Sequence, residues 1–231
     1  MNSFETDMYR AIFSRRFLLG ILAGFIIVFV AGIESELFRV SIPVLCTLPY
    51  TTALLEEMQS GFIRSYLPRT SITAYVAGKL LTCMLSGGLT DMIPVLVFCT
   101  WKNSKLAAKL YLLQGGSVMD ADYPGNLPKL TAYYGLIFLS GALWALVSAT
   151  LCAWSRSKYI AYGSAFVIYY VLIILCERYF PKLYCLNPEE WFRYQHTWIF
   201  GKWGIVIMLS MLCVLLAVLY DRIVRRWIAN V

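Results

Sequence analysis

The sequence predicts an all-α integral membrane protein with about six transmembrane helices, organised as one domain over residues 1–231. Three observations carry this. Of the 231 residues 60% are hydrophobic and only 14% charged, with a mean hydropathy of +0.67, whereas a soluble domain carries about 25% charged residues. The apolar residues are gathered into blocks near 17–33, 39–55, 71–101, 131–154, 159–176 and 203–220, each near or above the roughly 20 residues that cross a bilayer. The basic residues that give a net charge of +7 stand at block ends rather than on one face. That pattern belongs to membrane flanks and argues against a nucleic-acid partner.

The chain opens with "SFETDMYRAIFSRR", in which Phe4, Met8 and Ile12 recur every four residues while Glu5, Arg10 and Ser14 point elsewhere. This spacing predicts an amphipathic helix over residues 1–16, lying on the membrane surface and ending in Arg15 and Arg16 at the headgroups. The first block lacks a small-residue cleavage pattern after Gly32 and leads into further apolar sequence, so it is expected to stay as a span. Gly20 and Gly24 inside it form a small-xxx-small pair, which lets two helix backbones approach in lipid. The second block leads into a charged loop at 56–70.

The third block contains "SGGLTDMIP", which places Gly87, Gly88 and Pro94 around Asp91. An ionisable residue in a span is a functional candidate by default. The block is longer than a bilayer needs, so two positions remain open for Asp91: a gating or substrate-contacting site, or a polar residue near the outer headgroups. The interval 102–130 starts helix-like up to Gly115-Gly116 and continues in turn chemistry.

In the fourth block Gly141, Ala145, Ala149 and Ala153 form a ridge of small residues four apart. This predicts a helix–helix seam, with the neighbour either in this chain or in a second copy. The interval 177–202 reads as a re-entrant or interfacial outer segment. Asn187 can cap a helix, Pro188 suits its first position, Glu189 and Glu190 favour its first turn, and Trp191, Phe192, Tyr194, Trp198, Phe200 and Trp203 belong at headgroup depth. After the last block "DRIVRRW" gathers Arg222, Arg225 and Arg226. With Arg15 and Arg16 at the other terminus, both ends are expected on the cytoplasmic side of a cell membrane.

Little conventional chemistry is on offer. Seven cysteines, Cys46, Cys83, Cys99, Cys152, Cys176, Cys185 and Cys213, lack metal-ligand spacing, and most lie inside apolar blocks as small hydrophobic residues. Cys176 and Cys185 fall near one membrane face, but spacing alone does not fix a disulfide. The single histidine, His196, cannot make an H-E-x-x-H metal site, and no G-x-S-x-G occurs. The E-E-x-x-x-R pattern of membrane-embedded prenyl-protein-type proteases fails in register, because Gly61 stands where the arginine belongs. "AGKLL" around Lys79 lacks the phosphate-binding spacing of a P-loop. No catalytic residue, metal or cofactor is assigned to the chain.

The stretch "LLEEMQSGFIRSYLPRTSITAYVAGK", from Leu54 to Lys79, resembles the cytoplasmic loop of type-2 ATP-binding-cassette (ABC) exporter permeases. Those show E-x-E-x-G-T-L, a short helix, a proline and a run to Gly-Lys at the next span. Glu57 matches the first glutamate, Gly61 the glycine and Pro68 the proline, and Gly78-Lys79 closes the pattern; Gln59 and Phe62 depart from it. The resemblance extends to the surface helix, the six spans, the small-residue seam and the aromatic outer segment.

It implies a cytoplasmic coupling helix in 56–70, with Glu57, Gly61, Phe62, Ile63, Arg64, Tyr66, Leu67 and Pro68 as the ATPase-coupling residues. "SGFIRSYL" would set Phe62, Ile63, Tyr66 and Leu67 into a partner's groove with Arg64 at its rim. It further implies two ABC ATPase subunits that carry ATP and Mg, and a second permease copy or a sister permease. The function implied is export of a hydrophobic or amphipathic peptide, drug or lipid-like substrate by alternating access. A non-energised membrane scaffold or immunity-type binding protein of the same fold is the alternative, with an intramembrane enzyme third.

Overall fold

A computed structural model of the chain describes residues 3–33, 35–61, 63, 71–102, 127–180, 182, 184–191 and 203–229. Eight α-helices appear among these residues, with no strand: α1 (Ser3–Ile12), α2 (Arg15–Ala31), α3 (Glu36–Leu45), α4 (Ala53–Gln59), α5 (Ile72–Lys102), α6 (Leu127–Ser155), α7 (Lys158–Arg178) and α8 (Trp203–Ala229). A single 3-10 turn covers Tyr184–Leu186. Helices α5, α6, α7 and α8 are each long and apolar enough to cross a membrane, and the α1–α2 pair adds a fifth candidate if it is counted as one span bent by 48°. This is an all-α, multi-pass membrane architecture.

The bend between α1 and α2 is written locally. The Ser14 hydroxyl donates to the Ala11 carbonyl at 2.8 Å and accepts from the Phe17 amide at 3.0 Å. It thereby ends one helix and caps the next. Within α1 the buried face is Asp7 and Ala11, packed towards α5, whereas Phe4, Met8 and Ile12 are half-buried. Tyr9 and Phe13 face outward with their ring centroids 4.4 Å apart. The four-residue periodicity is present, but the side turned inward is one that includes a carboxylate.

The block at 39–55 is not one continuous helix. Helix α3 ends at Leu45, turns occupy 46–52, and α4 begins at Ala53. Pro49 lacks an amide to continue the ladder. The Thr47 and Thr51 hydroxyls bond to the carbonyls of Val44 and Thr47, and the amides of Thr47, Leu48 and Ala53 reach back only three residues. The tighter turning changes the direction of the chain within an apolar stretch.

Helix α6 is the centre of the bundle, packing on α5, α8, α7 and α3; 78% of its most apolar window is buried, against 22% for α7 and 28% for α8. The outer faces of α2, α7 and α8 leave large apolar side chains such as Ile26, Val171 and Val214 exposed, as helices in contact with lipid do. Two pairs of glycines set the close crossings. A Cβ on Gly20 would stand 2.8 Å from Thr90 Cγ2 and one on Gly24 2.8 Å from Pro94 Cγ, so that pair seats α2 on α5. A Cβ on Gly87 would stand 2.5 Å from Ala145 Cβ, and one on Gly88 2.7 Å from the Phe138 carbonyl oxygen. Helix α5 therefore approaches α6 at backbone distance.

After α4 the backbone turns at Gly61, whose φ is +73°. The Gly61 amide bonds to the Met58 carbonyl at 3.3 Å and the Ser60 amide to Glu56 at 3.0 Å, a glycine-terminated helix end. Nothing lies within 4 Å of a Cβ built there, so a substitution meets strain and not a clash. Gly61→Ala is expected to lower stability by about 1 kcal/mol, measured as the thermal unfolding midpoint in detergent; no change would show that the turn adapts.

Candidate functional site

At one end of the bundle α1, the 46–52 turns, α4 and α5 meet around a single ammonium group. Lys79 lies on the second turn of α5 with only 2% of its side chain exposed. Its Nζ donates to Asp7 Oδ1 at 2.8 Å, to Tyr50 Oη at 2.9 Å and to Glu57 Oε1 at 2.5 Å. The Tyr75 hydroxyl, one turn earlier on α5, donates to Glu57 Oε2 at 2.6 Å. The rings of Tyr50 and Tyr75 flank the ammonium with centroids 5.3 and 5.4 Å away, close enough for cation–π attraction. Asp7 and Glu57 are 7% and 15% exposed.

Three donor contacts and two aromatic faces satisfy the buried cation, and the lysine in turn offsets part of the charge of two carboxylates that burial alone would disfavour. Arg10 adds a longer contact to Glu57 at 3.8 Å. Helix α1 lies against α5 at Gly78, where a Cβ would stand 3.9 Å from the Phe4 backbone, an ordinary van der Waals contact.

A second polar group sits beside it. Arg16 donates to Glu56 Oε1 at 2.8 Å and to Thr52 Oγ1 at 2.9 Å, and Thr52 Oγ1 lies 3.4 Å from the Tyr162 hydroxyl of α7. Between the two groups an open groove of about 570 Å³ is lined by Arg10, Arg15, Tyr50 and Ser60 among others. Arg156 at the α6–α7 junction stands 5.1 Å over the ring of Trp227 near the end of α8. Because Arg16 and Glu56 are 48% and 39% exposed, Arg16→Ala should cost no more than about 1 kcal/mol. A loss on the scale of a core mutation, read from the unfolding midpoint, would contradict this reading.

Of the residues singled out in the loop, three are described. Glu57 points into the chain's own hub. Ile63 is 2% exposed and belongs to the hydrophobic core, so it is held within the chain and not presented on an open face. Gly61 is exposed at the end of α4. Phe62, Arg64, Tyr66, Leu67 and Pro68 lie outside the described residues, as do Phe192, Tyr194, His196, Trp198 and Phe200.

Gly141, Ala145, Ala149 and Ala153 are all buried, and the first two meet Gly87 and Gly88 of α5 in the same chain. Asp91 is in the same crossing, 1% exposed. In the outer segment Asn187 Oδ1 accepts from the Glu189 amide at 3.1 Å, which turns the chain so that Trp191 enters the bundle. Trp191 is 2% exposed and stacks on Trp144 at 5.9 Å, with Tyr169 edge-on to Trp144 at 5.6 Å. No disulfide joins any of the seven cysteines, Cys176 and Cys185 included.

The members of the hub that the sequence left unremarked are Asp7, Tyr50 and Tyr75. One signal was available: Lys79 interrupts an apolar block and needs a counter-charge, while Asp7 and Glu57 are carboxylates at the ends of neighbouring segments. No family model, no curated protein and no solved structure matches this chain.

Proposed function

We propose that the chain is the transmembrane permease subunit of an ATP-driven ABC exporter, working as a dimer with two separate ATPase subunits and moving a hydrophobic or amphipathic substrate. One observation carries the reading. Glu57 and Lys79, the two ends of the stretch that resembles the coupling loop, are joined by an ion pair, and the same lysine holds Asp7 of the N-terminal helix. A loop pinned at both ends to α1 and α5 transmits displacement to the spans instead of absorbing it, as a rigid-body transition between inward and outward states requires.

In this reading Glu57 and Ile63 anchor the handle from within, and Gly61, Phe62, Arg64, Tyr66, Leu67 and Pro68 face the ATPase. The six passages are α2, the broken α3–α4 segment, α5, α6, α7 and α8. Both termini and the Lys79 hub lie on the cytoplasmic side, where Arg10, Arg15, Arg16 and Arg156 follow the bias for positive charge. ATP closes the two ATPase subunits, and its tighter binding to the closed pair supplies the free energy of the shift.

The test is purification of the tagged full chain from its native host in mild detergent. An ATPase subunit carrying a Walker motif should co-purify in equal amount. Phe62→Asp should remove it without lowering the yield of the chain. Recovery of the chain without any ATPase would refute the proposal and favour a non-energised scaffold.

A further inference from the structure

Asp91 is a carboxylate in the tight crossing of α5 and α6. It is 1% exposed, and neither carboxylate oxygen has a hydrogen-bond partner among the described residues. Around it are surfaces that bring no compensating charge. A Cβ on Gly141 would stand 2.5 Å from Asp91 Oδ2 and 3.1 Å from the Gly87 carbonyl oxygen. Helix α2 contributes Gly20 and Gly24 on the adjoining turns. The Cys46 thiol at the end of α3 faces Asp91, and among the described residues no donor reaches either carboxylate oxygen. Lys79 and its carboxylates are about 18 Å away along the same helix.

An ionised carboxylate does not persist in such a place without donors or a counter-ion. A water needs about 30 Å³ and two or more polar partners, and a cation needs several oxygen ligands. A contact too close for one methyl group offers neither. The ligand that requires no volume is a proton.

We propose that Asp91 is a proton-binding site of this protein: in the packed seam it is a neutral carboxylic acid, and releasing the proton requires α5 and α6 to part at Gly87, Gly88 and Gly141. The inference does not depend on the ATPase-driven reading. Opening of the seam and loss of the proton are then one linked event, because the ionised group is stable only where water reaches it. Acidity on the side to which the seam opens works against opening.

The test uses the full chain purified in detergent and compares wild type with Asp91→Asn, which copies the neutral acid. Infrared difference spectra at neutral pH should contain the C=O stretch of a protonated carboxyl, lost in the variant. The packed state keeps a proton that an unfolded chain, whose aspartate ionises near about pH 4, has released. Wild-type stability should therefore fall relative to the variant as pH rises above that value, by up to tenfold in the folding constant per pH unit for one linked proton. Asp91→Ser serves the same comparison should the asparagine variant fail to fold. A carboxylate band for Asp91 at neutral pH, or identical pH slopes in wild type and variant, would overturn the proposal.

Discussion

Lys79→Met is expected to destabilise the protein by about 3–5 kcal/mol, the largest effect of any single substitution at the hub. The methionine fills a similar volume, so the loss comes from charge and not from packing. Asp7 and Glu57, 7% and 15% exposed, would be left without the cation they share. The Tyr50 hydroxyl would lose its donor, and Glu57 would keep only the Tyr75 hydroxyl and the more distant Arg10. Removing one charge of a buried set costs more than removing the set, because the remaining charges stay desolvated.

The triple variant Lys79→Met, Asp7→Asn, Glu57→Gln should therefore be more stable than Lys79→Met alone. Thermal unfolding of the purified variants in one detergent makes the comparison. A Lys79→Met chain within about 1 kcal/mol of wild type would mean that the hub is an exposed network in solution. A triple variant no better than the single one would mean that the lysine acts through its aliphatic stem.

Gly87→Leu should be nearly as damaging, for a steric reason. A Cβ at this position already meets Ala145 Cβ at 2.5 Å, the Cys46 carbonyl at 3.0 Å and the Gly141 carbonyl at 3.3 Å. Two of those three neighbours are backbone, which cannot rotate away as a side chain can. Overpacking of well-packed cores typically costs about 1–3 kcal/mol, and this site should reach or exceed the upper end. Ala145→Leu attacks the same crossing from α6 and should also destabilise, since Ala145 is fully buried.

Gly135→Ala on the same helix is the control. Nothing lies within 4 Å of its Cβ position, and alanine gains helix propensity worth up to about 1 kcal/mol over glycine. Unfolding midpoints of the three variants decide the matter. Equal stability of Gly87→Leu and Gly135→Ala would show that the α5–α6 crossing is looser than these distances imply.

Hydropathy located the long helices well, because a span is a property of one segment: α5, α6, α7 and α8 fall on blocks at 71–101, 131–154, 159–176 and 203–220. It did not find the break at 46–52. A sum over a window counts Pro49, Thr47 and Thr51 as small perturbations, while the backbone registers them as a missing amide and competing hydrogen bonds. Periodicity found α1 but not what it buries: Phe4, Met8 and Ile12 are half-buried, and Asp7 turns inward to Lys79.

What the sequence determined by itself is local: helix-forming apolar blocks of bilayer length, a serine between two helices, a glycine at the end of α4, small residues spaced to let backbones meet. What only the tertiary structure decided is which of these surfaces face each other. The Gly141–Ala145 ridge could have served a second copy and instead receives Gly87 and Gly88. Glu57 could have been offered to a partner and instead closes on Lys79. Asp91 is sealed in the crossing of two helices. A charge or a glycine states what it needs, a counter-ion or a close neighbour, but supplying it takes residues far apart along the chain, and their meeting is a property of the packed bundle.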